Sequence, residues 1–144
     1  MKWRGIIFMY KDSIFNTTIV CIDQYENKNP CGRIYNSAYN CGITFQSTID
    51  LLLNMEAILE ETQTPQAYSS KRVFGPAGER PAMETTSEEL KEGKLATFSL
   101  RILFRQNASW QGLLHWHEGR QEESFRSVLE LLLLIDSAMT PQVQ

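Results

Sequence analysis

The sequence is poor in the residues from which metal and redox sites are made. It has two histidines and three cysteines, and Cys21, Cys31 and Cys41 offer neither a C-x-x-C pair nor a zinc spacing. Three thiols cannot pair off completely, so buried, reduced cysteines in a reducing compartment are expected. Long apolar runs are also missing. The leucine stretches are too short to cross a bilayer, and the apolar run Gly5 to Tyr10 stops at Lys11-Asp12, short of a secretory h-region. A soluble, cytoplasmic chain with no membrane partner is expected. Charge of one sign is not in excess either: a net charge of -3 excludes coating nucleic acid by charge alone, while leaving room for a local basic patch. Nothing cradles phosphate, because Gly75-Pro76-Ala77-Gly78 lacks the G-K-[ST] ending of a P-loop. No nucleophile stands beside a base, and the acid pairs Glu60-Glu61, Glu88-Glu89 and Glu122-Glu123 suit solvated ends of elements. Catalysis is therefore the least supported class, and no cofactor and no metal is assigned.

What the chain does have is a pair of matching amphipathic segments. From Phe125 to Met139 lies its most apolar run. Ser127 followed three residues later by Glu130 is a capping box, which starts a helix, and Thr140-Pro141 stops it. Val128, Leu132, Ile135 and Met139 form one stripe on that helix, with Leu131 and Ala138 beside it. The segment Phe45 to Leu59 aligns with it without a gap at an offset of eighty: Phe45/Phe125, Ser47/Ser127 and leucines 51/131, 52/132 and 53/133 are identical. Asp50/Glu130, Met55/Ile135 and Glu56/Asp136 are conservative. An aromatic residue, a serine cap, an acid and a buried stripe recur together, as an internal duplication would leave them.

Strand patterns precede both helices. Ile6–Tyr10, Thr17–Ile22, Gly32–Asn36 and Gly42–Phe45 read as short strands, with a polar turn over Tyr25–Pro30. In the second half Phe98, Leu100, Ile102 and Phe104 alternate with more polar neighbours, as in a half-buried strand. Trp110 to Glu118 alternates likewise, and Glu122–Phe125 returns into the Ser127 cap. Between the halves the periodicity fades; Lys71–Phe74 is the one strand candidate and Ser87–Gly93 a candidate helical turn. The expected architecture is α+β: an antiparallel β-sheet with two amphipathic helices packed on one face, an internal duplication of a β-β-β-α unit. Residues 1–61 form the first half, 62–94 a connector and 95–144 the second half of a single compact domain. The two helices are expected to cover each other's flanks and bury Ile49, Leu53, Leu129 and Leu133.

Candidate site residues follow from the alternation. With Phe98 to Phe104 turned towards the helices, Arg101 and Arg105 point to the opposite face, joined there by His115 and His117, with Arg126 nearby in sequence. Guanidinium groups hold phosphate oxygens bidentately, so such a face suits an anionic ligand, a nucleotide or nucleic acid. The run Arg101 to Arg105 followed by Asn107 to Gly112 resembles the R-x-x-x-R and N-x-S-x-x-G patterns of PilZ-type cyclic-dinucleotide receptors. One residue separates the two patterns here, where that family places a longer segment with a strand, so the likeness is set aside. Leu134 is matched by Asn54 in the first half, which makes Leu133 and Leu134 the expected interface. The functional expectation is a small cytoplasmic binding or assembly module without catalytic activity, homodimeric or partnered by another protein. Anionic-ligand binding through the basic sheet face is the alternative.

Overall fold

The computed structural model describes residues 17–76 and 82–140. The expected strand Ile6–Tyr10 lies outside the described residues. β-Branched residues from Thr17 onward open a strand, β1 (Thr17–Glu26), longer than the Thr17–Ile22 stretch expected. The chain then reverses through Asn27 and Lys28, at φ of 55° and 63°. A two-residue hairpin needs paired left-handed residues to match the right-handed strand twist, and so the polar turn expected over Tyr25–Pro30 shrinks to two residues. Lysine is an unusual occupant of such a turn, which hid it in the sequence. Next come β2 (Asn29–Asn36), β3 (Gly42–Phe45) and α1 (Thr48–Thr62). After the connector follow β4 (Thr85–Thr86), β5 (Ala96–Phe104), β6 (Gln111–Trp116), β7 (Gln121–Phe125) and α2 (Val128–Met139). All the strands join one antiparallel seven-stranded sheet in the order β4-β3-β2-β1-β5-β6-β7, so the architecture is α+β.

Local devices recur on either side of the β1–β5 seam, eighty positions apart. Gly32 lies opposite Ile22 and Phe45; Gly112 lies opposite Ile102 and Phe125. A Cβ at Gly32 would sit 1.8 Å from the Cys21 carbonyl oxygen, and one at Gly112 1.9 Å from that of Arg101. The β-bulge between Ile22 and Gln24 has its counterpart between Ile102 and Phe104. Asn107 and Ala108 repeat the positive φ angles of Asn27 and Lys28. Ser47 Oγ accepts from the Asp50 N–H at 3.0 Å and Ser127 Oγ from the Glu130 N–H at 3.2 Å. The two carboxylates reach back past the caps: Asp50 accepts from the Gln46 N–H and Glu130 from the Arg126 N–H, at 3.0 and 2.7 Å.

Val20, Ile22, Ile34, Ile43, Phe45, Phe98, Leu100, Ile102, Leu114 and Phe125 form one buried cluster with Leu51, Met55, Ile58 and Leu59 of α1 and Leu131 and Ile135 of α2. The mutual covering of helix flanks does not occur. Ile49, Leu53, Leu129 and Leu133 are 65%, 51%, 66% and 60% exposed, because each lies two residues, roughly 200° of helical rotation, from Leu51 or Leu131.

Three further expectations are corrected. Beyond the second bulge the alternation reverses, since the additional residue Leu103 shifts everything after it to the other face; Phe104 is exposed and Arg105 buried. Lys71–Phe74 is not a strand. Ser87–Gly93 is not a helical turn but a strap laid over the sheet. Tyr35 Oη donates to the Glu88 carbonyl at 2.8 Å, the Arg33 guanidinium donates to the Leu90 and Glu92 carbonyls, and the Lys94 N–H donates to Asp23 at 3.0 Å.

Candidate binding surfaces

Strand register decides which of the expected basic residues meet. Ser99 pairs with His115 and Arg101 with Leu113, and alternation therefore places Ser99, Arg101 and His115 on one face, away from the buried cluster. His117 joins them, its Nε2 at 2.6 Å from Ser99 Oγ and its ring centroid 5.4 Å from that of His115. The strap covers the neighbouring β1–β2 part of this face. Its edge, with Thr17, Ile19 and Tyr35 on the floor and Tyr39, Cys41, Glu88 and Lys91 around them, frames a cleft of about 860 Å³. Thr17 and Ile19 are the β1 partners of Arg101 and Ser99, so this cleft opens beside the basic residues.

Arg105 is not among them. The bulge turns it to the α1 side, where its side chain is 3% exposed and its guanidinium donates to Glu56, to Glu60 and, at 3.1 Å, to the Pro65 carbonyl. Trp110 Nε1 donates to the second Glu56 oxygen at 2.8 Å. Burial opposes the charge on Arg105, but the two carboxylates outweigh it and raise the guanidinium above its ordinary value; the same bond holds Glu60 below the usual carboxylate range. An arginine so engaged gives structure to the α1–β5 junction. Arg126, just ahead of the Ser127 cap, is fully exposed and forked onto Glu130 in the first turn of α2 at 2.7 Å, which holds that carboxyl down to about 2. Of the expected basic set, Arg101, His115 and His117 come together, while Arg105 and Arg126 are tied to acids elsewhere.

The expected interface pair also separates. Leu134 packs against the buried cluster, whereas Leu133 is exposed alongside Leu129. Ile49 and Leu53 repeat this arrangement on α1 at the same offset, so each helix carries an apolar ridge one turn long on its outer side. The alignment of the two segments contained that signal; expecting the ridges to cover each other concealed it. Glu56 and Trp110 were not singled out in the sequence, because an acid on a helix and an aromatic at a strand start are each ordinary alone.

Cys21 is buried, and burial pushes its thiol up to about 11; Cys31 and Cys41 are half-buried, and none of the three is in a disulfide. Among the described residues no group of three His, Cys, Asp or Glu stands where it could hold a metal ion. No helix among them is long and apolar enough to cross a membrane. No protein-family model, no curated protein and no solved structure matches this chain.

Proposed function

We propose that this chain is a small, non-catalytic binding and assembly module of the cytoplasm, built by duplication of a β-β-β-α unit whose two helices share one face of the sheet. It self-associates through the outer sides of those helices. One observation carries the reading: Ile49 and Leu53 on α1, and Leu129 and Leu133 on α2, stand exposed at equivalent positions of the two halves. A lone exposed leucine is ordinary, but the same apolar ridge presented twice is a repeated surface. The recurrence of glycine, bulge, left-handed turn and cap at a constant offset of eighty supports the duplication. Each ridge side chain transferred from water into an interface contributes about 1.5–3 kcal/mol before association entropy is charged.

Sedimentation equilibrium at increasing concentration tests this. A dimer is expected, converted to a folded monomer by Leu129→Lys with Leu133→Lys. A wild-type chain that stays monomeric at millimolar concentration overturns the self-association.

A second reading rests on Arg101, Ser99, His115 and His117 sharing an open face beside the cleft. It is the binding of an anionic ligand, a nucleotide or nucleic acid, there. Tryptophan fluorescence titrated with a cyclic dinucleotide and with an oligonucleotide should report binding that weakens as salt rises. Binding that survives Arg101→Ala unchanged overturns this second reading.

A further inference from the structure

The two halves differ at one place where their geometry is otherwise matched. β3 and β7 hold the same register against β2 and β6: Gly32, Arg33 and Ile34 face Phe45, Thr44 and Ile43, and Gly112, Leu113 and Leu114 face Phe125, Ser124 and Glu123. On β3 the outer side is taken. β4 pairs there, Thr86 against Gly42 and Thr85 against Ile43, and the Thr44 N–H donates to the Glu84 carbonyl at 2.9 Å. Met83, two residues before Thr85, packs against the buried cluster, and Ile43 and Ile58 are fully covered.

On β7 the corresponding outer side has no strand, since β7 ends the sheet among the described residues. Ser124 and Glu122 stand where Thr44 and Gly42 stand on β3, so their backbone groups point outward. Beside this edge lies a slot of about 70 Å³, lined by the apolar Phe98, Leu114, Trp116, Leu134 and Ala138 and by the polar Gln121, Glu123 and Ser137. Leu114, Glu123 and Ala138 are the counterparts of Ile34, Ile43 and Ile58, which are covered in the first half. The Trp116 indole N–H is buried and has no hydrogen-bond partner among the described residues. Among the described residues a slot thus adjoins an unpaired edge, on the side of the sheet where Met83 packs against the buried cluster in the other half.

We infer that the outer edge of β7 binds an extended segment of a partner protein, which carries an apolar side chain followed two and three residues later by lysine or arginine. The segment adds to β7 as residues 83–86 add to β3, by main-chain pairing with side-chain pockets for selectivity. Its apolar residue takes the position of Met83 and enters the slot. Its basic residues take the positions of Thr85 and Thr86, opposite Glu123 and Glu122, whose carboxylates have no ion-pair partner among the described residues. Charge also argues against a second copy of this edge, because β7 paired antiparallel with itself sets these glutamates against one another. The inference goes beyond the helix ridges and does not depend on self-association.

Hydrogen exchange and a binding titration test it together. The probe is a fluorescein-labelled peptide of sequence Gly-Ser-Met-Glu-Lys-Lys-Ser-Gly, added to the full chain. The expected result is saturable binding, with the Ser124 and Glu122 amides exchanging fast in the free protein and becoming protected on addition of peptide. The Thr44 amide is protected throughout. Ser124→Pro removes the outward N–H without touching the β6 ladder, a place where an edge strand tolerates proline. It should abolish main-chain pairing and weaken binding by about tenfold or more while the protein stays folded by circular dichroism. Glu122→Lys with Glu123→Lys should weaken the same peptide about tenfold and favour a version with glutamates in place of the lysines. Leu129→Lys with Leu133→Lys should leave peptide binding unchanged, which separates this edge from the ridges. Three results would overturn the inference: no binding at millimolar peptide, equal binding to wild type and Ser124→Pro, or β7 amides already protected in the free chain by its own residues or a second copy.

Discussion

The Tyr25 hydroxyl donates a 2.7 Å hydrogen bond to Asp136 Oδ1, tying the end of β1 to the far end of α2. Eighty residues after Tyr25 stands Arg105, and eighty before Asp136 stands Glu56; these two are also bonded. Each helix thus presents one acid to the end of the other half's leading strand. The two ties share a geometry but not an environment. Lys28 joins Asp136 at 2.8 Å near the surface, whereas Arg105 is enclosed with Glu56, Glu60 and Trp110.

That difference sets the cost of breaking each tie. Glu56→Ala leaves the Trp110 N–H without its acceptor and Arg105 with a single carboxylate, and is expected to destabilise the fold by about 3 kcal/mol. Asp136→Asn, at the solvated tie, should cost much less. Urea denaturation of the two variants checks the ranking; equal losses would mean that the burial of Arg105 has no energetic consequence.

Alkaline pH offers a second handle on the solvated tie. Burial, then the hydrogen bond to the Asp136 carboxylate, push the Tyr25 phenol up to about 12 from an ordinary 10. A raised value means the neutral form is favoured by folding, so the contribution is complete below pH 10 and is lost as pH rises from there through about 12. Unfolding free energy should accordingly fall between about pH 10 and about pH 12, and fall less steeply in Tyr25→Phe. Parallel profiles for the two proteins would assign the alkaline loss to other groups.

Acid pH should act on the other tie. The Arg105 hydrogen bond lowers Glu60 from its ordinary 4.5. Stability from a depressed carboxyl is present above 4.5 and lost as pH falls through the folded value. Glu60→Gln is expected to flatten the acid limb of the stability curve without shifting it at neutral pH by more than about 1 kcal/mol. An unchanged acid limb would remove Glu60 from the account.

The paired glycines make a symmetrical prediction. A methyl at Gly32 or Gly112 would overlap a carbonyl of the neighbouring strand, Cys21 or Arg101, at under 2 Å. Backbone must move in either case, so Gly32→Ala and Gly112→Ala should each destabilise by about 2–4 kcal/mol. Thermal melts that show one tolerated and the other not would break the equivalence of the two bulged hairpins.

The helix caps test the same equivalence more gently. Ser47→Ala and Ser127→Ala each remove one acceptor from an orphan N–H and should cost about 1 kcal/mol, adding independently in the double variant. A markedly non-additive double variant would show the two helix starts to be coupled.

Several features of the fold were legible in the residues because they are local. Ser47 and Ser127 announced both helix starts, and the alternation from Phe98 to Ile102 announced the face of β5. The same alternation misplaced Phe104 and Arg105, because a bulge changes parity without leaving a mark in composition. In the strap, Ser87, its acids and Gly93 imitate the cap and stop of a helical turn, while its real partners, Tyr35, Arg33 and Asp23, lie far away in sequence. The basic face was half legible: Arg101, His115 and His117 followed from strand period, but that Arg105 and Arg126 answer to carboxylates required knowing what packs beside them.

By itself the sequence determined the local grammar: two serine-capped amphipathic helices at an offset of eighty, each preceded by short alternating strands, since capping and period depend on neighbours within a few residues. Only the tertiary structure decided which leucines stay wet, which arginine is enclosed, and that β3 gains an outer strand while, among the described residues, β7 does not. Those outcomes depend on bulges, register and contacts between residues distant along the chain. No window of sequence contains the free energy that settles them.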